Sequence, residues 1–151
     1  METIKELREE TGLSFAQIKK ALEAASGDKA KALEILSEYK EAQAEKKADR
    51  EVLVSAVASY VHATGASGAL VELACETDFV ARNDEFKELA KDIAMHVVAM
   101  SPVTLEGEGD TALLKQSFVK DPSLTVEGKI QGAIQKFGEN VKIVHFVRYG
   151  A

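Results

Sequence analysis

Cys75-Glu76-Thr77-Asp78-Phe79-Val80-Ala81-Arg82-Asn83 is the stretch on which the reading of this chain turns. The run before it, Ala69-Leu70-Val71-Glu72-Leu73, alternates in the manner of a half-buried strand. The run after it takes up a helical period near Phe86. A strand passing through a tight polar connection into a helix predicts a mixed, α+β architecture. Thr77 has the side chain to cap a first short turn, with Asp78 just inside it, where the positive end of the helix dipole favours a carboxylate. Asn83 or Asp84 is placed to cap the longer helix that follows. Phe79 is the odd member. A large aromatic in such a connection either plugs the core or is held out for a partner. The residues alone favour the plug, because buried aromatics outnumber exposed anchors.

Composition narrows the function classes. A chain of 151 residues holds one ordinary domain, or a small domain beside a larger one. With 46% hydrophobic and 29% charged residues it has material for a real core and a solvated surface. A net charge of −6 argues against nonspecific nucleic-acid binding, which depends on Lys and Arg neutralising phosphates. No apolar run reaches the ~18 residues of a membrane span. The N-terminus lacks both a signal-peptide core and an Arg-rich transit pattern. Cys75, the single cysteine, excludes an internal disulfide framework and fits a reducing cytoplasm.

Residues 1 to 40 read as three short helices. Ile4 and Leu7 mark the inner face of the first, which stops near Thr11-Gly12. Ser14-Phe15-Ala16-Gln17 has the form of a capping box, and Ile18, Ala21, Leu22 and Ala25 follow at helical spacing. Phe15 is open to two readings, a partner contact or a hydrophobic staple. Gly27-Asp28 supplies a glycine stop and an aspartate start, and Ala32, Leu33, Ile35, Leu36 and Tyr39 carry the third helix. About forty residues bury little surface, so this module is expected to be marginal alone. Residues 41 to 50 are charged and nearly devoid of apolar side chains, a solvated helical linker.

Val52 to His62 and Ala69 to Cys75 pair as strands across the small residues 63 to 68. The start of the first, Glu51 to Ala56, is equally readable as a continuation of the preceding helix. From Asp84 to Met100 the stripe is Phe86, Leu89, Ala90, Ile93, Ala94, Val97 and Met100. Met95, on the opposite face, is a stray apolar side chain or a small contact patch. Ser101-Pro102 ends the helix, and an acidic loop follows over 105 to 110. Thr125 caps a helix carrying Val126, Ile130, Ala133, Ile134 and Phe137, which Gly138 closes. Val141 to Tyr149 reads as a strand apolar on both faces, the kind that lies inside a sheet or at a subunit interface.

Catalytic readings fail on the residues. A nucleophilic Cys75 needs a base within hydrogen-bond reach, and His62, His96 and His145 lie far apart in sequence. Those histidines lack the spacing and cysteine company of a zinc site, and His96 and His145 read as structural. The glycines near 107 to 109 neither follow a strand nor open a helix, so no phosphate cradle is expected. No cofactor and no metal are implied.

The string Glu76-Thr77-Asp78-Phe79-Val80-Ala81, with Cys75 before it and Asn83 after it, closely resembles the signature of elongation factor Ts, the family of nucleotide exchange factors of the GTPase elongation factor Tu. Leu7-Arg8-Glu9 with Thr11-Gly12, Lys19-Lys20-Ala21-Leu22 and Gly27-Asp28 stand where that family's N-terminal module, of ubiquitin-associated-like fold, has them. Gln116 to Asp121, Thr125-Val126, Gly138-Glu139-Asn140 and Phe146 to Tyr149 extend the resemblance over nearly the whole chain. Leu13 to Ile18 departs from it, because family members usually run there through small residues, methionines and Asp-Cys. A larger departure lies between Pro102 and Gln116, where members normally carry a long, mostly helical segment. The second core copy and C-terminal helical extension of long members are expected to be absent too.

Residues and resemblance together predict an α+β protein. It has an N-terminal three-helix ubiquitin-associated-like module over 1–40, a charged helical linker over 41–50, and a dimerisation-type core over 51–151 in which a small antiparallel sheet packs with helices. The resemblance implies a non-enzymatic exchange factor that binds GDP-bound elongation factor Tu in the cytoplasm and promotes GDP release. The Asp78-Phe79 turn would insert beside the nucleotide and magnesium site, fixed by Thr77 and Val80 and rimmed by Arg82 and Asn83. Arg8, Thr11, Gly12 and Lys19 would form a weaker second contact, and the sheet around 141 to 149 would lean on a more distant domain of the GTPase. No direct nucleic-acid or membrane partner is implied. A homodimer is expected to be able to replace the missing second core half. The runner-up is a ribosome-associated or regulatory protein-binding module of the same fold without exchange activity; a small thiol enzyme is a distant third.

Overall fold

Capping side chains set most helix starts in the computed structural model, which describes residues 1–150. The chain divides into two units: Met1–Asp49 with Gln131–Glu139, and Arg50–Ile130 with the residues from Asn140 onward.

In the first unit, α1 (Glu2–Thr11) ends at Gly12, whose φ of 69° is left-handed and whose N–H reaches Arg8 O at 2.8 Å. A side chain there would be strained, so the glycine is what allows the chain to turn into the next helix. α2 (Phe15–Ala24) starts on a complete capping box: the Ser14 hydroxyl accepts from Gln17 N, and Gln17 Oε1 accepts from Ser14 N at 2.9 Å. Asp28 accepts from Lys31 N and opens α3, which runs from Lys29 to Lys47. The third helix is therefore not short. It continues through most of the charged stretch expected as a separate linker, because Glu, Lys, Ala and Gln are all good helix formers. Leu7, Leu13, Ile18, Ala21, Ala25, Ala32 and Leu36 form one buried cluster, with Ile4, Leu22, Leu33 and Ile35 packed around it. Leu13, not Phe15, is the inward residue of the α1–α2 connection; Phe15 is half exposed.

The second unit is built on an antiparallel sheet in the order β1 (Val54–Val61), β2 (Ser67–Cys75), β5 (Lys142–Gly150). The β1–β2 hairpin closes with His62 N on Ser67 O at 2.9 Å. β1 begins at Val54, so the helix does not run on into it. α5 (Asp84–Met100) covers one face of the sheet with Phe86, Leu89, Ala90, Ile93, Ala94, Val97 and, beyond the expected stripe, Val98. Met95 is half-buried, and Met100, the last residue of the expected stripe, is exposed and not part of the covered face. Ala69, Val71 and Leu73 of β2 are buried, and the Arg148 guanidinium of β5 donates to Val98 O from Nε and Nη2 at 3.2 and 3.1 Å. Those alternate residues are the covered face.

β5 is an edge strand, where the sequence pattern predicts one buried on both faces. Only Ile143 is fully buried; Val144, His145 and Tyr149 are exposed. The pairing shifts register between Glu72 and Leu73, with Val144 as the extra residue. β2 takes the centre because it pairs with both neighbours, which leaves the apolar outer side chains of β5 without a covering layer.

After α5 the chain passes through the acidic loop to a 3-10 turn, Leu113–Lys115, then a small pair of strands, β3 (Ser117–Phe118) and β4 (Asp121–Thr125). α6 (Val126–Phe137) opens with Thr125 Oγ1 accepting from Gly128 N at 3.0 Å and closes at Gly138, φ 70°, whose N–H reaches Ile134 O. Residues 131–139 of this stretch group with the N-terminal helices.

Candidate functional site

β2 delivers the chain from the sheet into α4 (Asp78–Ala81), a single helical turn followed after Arg82 and Asn83 by α5. Two forces shape this connection. Val80 and Ala81 are buried and hold one side of the turn down. Asn83 then accepts from Glu85 N at 2.8 Å and starts the long helix, with Asp84 and Glu85 at its positive end. With Val80 committed inward, the residue before it is turned outward. Phe79 is 89% exposed. The plug favoured by composition is corrected: the aromatic contributes nothing to the core of its own unit, and Phe86, fully buried seven residues on, fills that role.

Asp78 is exposed in the first turn of α4, next to Phe79. Thr77 is the N-cap in extended conformation but makes no side-chain capping bond, contrary to expectation. Its carbonyl does the work: Thr77 O accepts from Ala81 N at 3.2 Å and from Cys75 Sγ at 3.3 Å. Cys75 is buried. Arg82 and Asn83 are exposed at the rim.

Glu76 opens the signature string and lies at the base of the turn, and nothing in the sequence gives it a role of its own. Its Oε2 accepts from Asn140 N at 2.8 Å and stands 3.7 Å from Arg50 Nη1. Asn140 is 1% exposed and donates from Nδ2 to Arg50 O at 2.8 Å. Asn140 lies 64 positions from Glu76 and 90 from Arg50, so no local pattern announces the cluster.

The second group of expected contact residues belongs to the other unit. Arg8, Thr11 and Gly12 gather at the end of α1, with Thr11 Oγ1 accepting from Leu13 N at 3.3 Å. Lys19 is exposed on α2 beside Glu23 at 3.9 Å.

The histidines separate by environment. His96 is fully buried and satisfied at both nitrogens: Val119 N donates to Nδ1 at 3.1 Å, which leaves the proton on Nε2, 2.9 Å from Gln116 Oε1. Burial pushes its pKa below the ordinary value, with the Gln116 hydrogen bond acting in the opposite sense. His62 and His145 are exposed, so the structural reading holds for His96 and is corrected for His145. Among the described residues no three His, Cys, Asp or Glu side chains gather as a metal-ligand group, and no helix is long and apolar enough to cross a membrane.

An exposed aromatic on an anchored single turn, beside a carboxylate, is carried here by an α+β fold of a particular family. The comparisons specify which. Residues 14–109 match the family model described as Elongation factor TS. The elongation factor Ts of Fervidobacterium nodosum is 42% identical over 185 aligned residues, covering 96% of this chain and 94% of that protein. Those of Thermosipho melanesiensis and Rubrobacter xylanophilus are 39% and 38% identical, covering 97% and 99% of this chain and 95% and 97% of theirs. The chain belongs to the elongation factor Ts family, and with it to the elongation factors of translation. The aligned lengths exceed the 151 residues of this chain, so these relatives carry additional residues opposite gaps in it.

Proposed function

We propose that this protein is a guanine nucleotide exchange factor that binds GDP-bound elongation factor Tu in the cytoplasm and promotes GDP release, making and breaking no covalent bond itself. The observation that carries this reading is the exposure of Phe79, 89%, on a turn whose next two residues are buried. Leaving a phenylalanine in water forgoes the ~1.5–3 kcal/mol that burying such a side chain contributes. A partner crevice recovers it.

Phe79 wedges into an apolar crevice of the GTPase beside the nucleotide, and Asp78 brings a carboxylate toward the magnesium and phosphate region. Thr77 and Val80 fix the turn; Arg82 and Asn83 contact its rim. Arg8, Thr11, Gly12 and Lys19 supply the weaker second contact. Exchange follows by linkage: if factor binding weakens nucleotide binding, nucleotide weakens factor binding by the same ratio, and GDP leaves from the ternary complex.

Stopped-flow release of fluorescent GDP from elongation factor Tu tests the reading. The expected outcome is release that accelerates with factor concentration. Binding without acceleration would favour a regulatory or ribosome-associated module of the same fold.

A further inference from the structure

Three distant segments converge beneath the exposed turn. Arg50 leads into β1, Glu76 leaves β2, and Asn140 leads into β5. Their meeting point is the Glu76 carboxylate, which accepts the Asn140 N–H at 2.8 Å and forms an ion pair with the Arg50 guanidinium at 3.7 Å, while the buried Asn140 amide holds Arg50 O at 2.8 Å. Glu76 is therefore tied to the starts of both flanking strands, one residue before the α4 N-cap.

The turn needs such an anchor. α4 is four residues long, too short to be stable by itself, and Thr77 gives it no side-chain cap. On its far side α5 fixes it through Asn83 and the buried Val80 and Ala81. On its near side Cys75 Sγ reaches Thr77 O, and Glu76 carries the ties to the other two strands, through a charge-assisted hydrogen bond of the stronger kind. We propose that Glu76 is a positioning residue for nucleotide exchange: its carboxylate, held by Asn140 and Arg50, keeps the Asp78-Phe79 turn in the conformation that enters the partner. The inference rests on the exchange-factor reading above.

A positioning residue acts on the population of the competent turn. If only a fraction of molecules hold the turn correctly, the apparent affinity for the partner falls by that fraction, while the rate in the assembled complex is preserved. Glu76→Ala is expected to raise the half-saturating factor concentration for GDP release about tenfold, the size of effect that loss of a hydrogen bond to a charged group supports. The release rate at saturation should stay within about twofold. Glu76→Gln, which keeps an acceptor for Asn140 N but not the charge for Arg50, should recover part of the loss and serves as the informative variant if the alanine form folds poorly. In a Phe79→Ala background, Glu76→Ala should cost less than it does alone, because only Asp78 of the turn is left to position.

Amide hydrogen exchange of residues 81 to 83, whose N–H groups close the turn onto Thr77 O, Asp78 O and Val80 O, reads the anchor in the free protein without the GTPase, and both Glu76 variants should exchange faster there than wild type. Unchanged protection at 81 to 83 overturns the inference. So does a fall in the saturated rate at constant half-saturation, or a Glu76→Ala effect that persists in full without Phe79. If wild type releases no GDP while the variants lose protection, the exchange-factor reading fails and the anchor stands; if wild type is active and protection is unchanged, the reverse holds.

Discussion

Phe79 and Phe86 are the same side chain seven residues apart, one 89% exposed and one fully buried, and substituting each by alanine separates contact from core. Phe79→Ala should leave the thermal midpoint of the free protein nearly unchanged. In the GDP-release assay it should raise the half-saturating concentration roughly thirtyfold, the equivalent of the ~2 kcal/mol that an interface aromatic carries. Phe86→Ala should instead cost about 3–5 kcal/mol of stability in chemical denaturation. A Phe79→Ala protein that is strongly destabilised yet exchanges normally per folded molecule would return this residue to the core and move the site elsewhere. Asp78→Asn removes charge and keeps shape, so it should slow release with a smaller loss of affinity than Phe79→Ala.

α5 and the β3–β4 pair are joined through His96, and that junction predicts a pH dependence of stability in the second unit. The imidazole is held neutral between Val119 N and Gln116 Oε1 and stacks on Phe118 with ring centres 5.9 Å apart. Gln116 passes the connection on to Asp110 O at 2.9 Å, and Lys120 bridges from the β3–β4 turn to Asp92, one turn before His96 on α5. The folded protein binds a proton at His96 less readily than the unfolded chain, whose imidazole titrates near 6.5. Stability from this group is complete above about pH 6.5, declines as pH falls below it, and levels off once pH has passed the folded-state pKa. Thermal midpoints between about pH 7.5 and 5 should show that decline, and His96→Gln should flatten it whatever its effect on the plateau. An equal slope in the variant would assign the pH dependence to other groups.

At the scale of the molecule, two proposals concern how the units are used. Deleting residues 1 to 40 should leave a folded core that keeps its sheet and α5 and exchanges poorly, because the second contact is gone. Circular dichroism showing an unfolded core would misplace the boundary, and full exchange activity would remove the N-terminal helices from the interface. The other proposal is a two-fold homodimer. Val57, Val61, Leu70 and Tyr149 are exposed on the uncovered side of the sheet, and β5 is an edge. Uncovered apolar strands of this kind invite pairing, and a second copy would provide the missing layer. Light scattering should give twice the chain mass at high micromolar concentration; a monomer there would count against it.

Local chemistry was legible in the sequence wherever neighbours along the chain settle the outcome. The Ser14–Gln17 box, the Asp28 and Asn83 caps, the Thr125 cap and the left-handed Gly12 and Gly138 stops all formed as their residues predict. So did the apolar stripe of α5 from Phe86 to Val97, though not its last member Met100, because a helix places residues three and four apart on one face wherever it lies. The α+β class followed from those periods. Strand order did not, because Val141 to Tyr149 carries the same apolar pattern at an edge as in a centre, and only pairing with β2 placed it outside. The orientation of Phe79 was decided in the same way, by Val80 and Ala81 having a core to enter. The Glu76–Asn140–Arg50 cluster depends on three strand ends converging, and hydrogen bonds between residues so distant in the chain exist only once the sheet has formed.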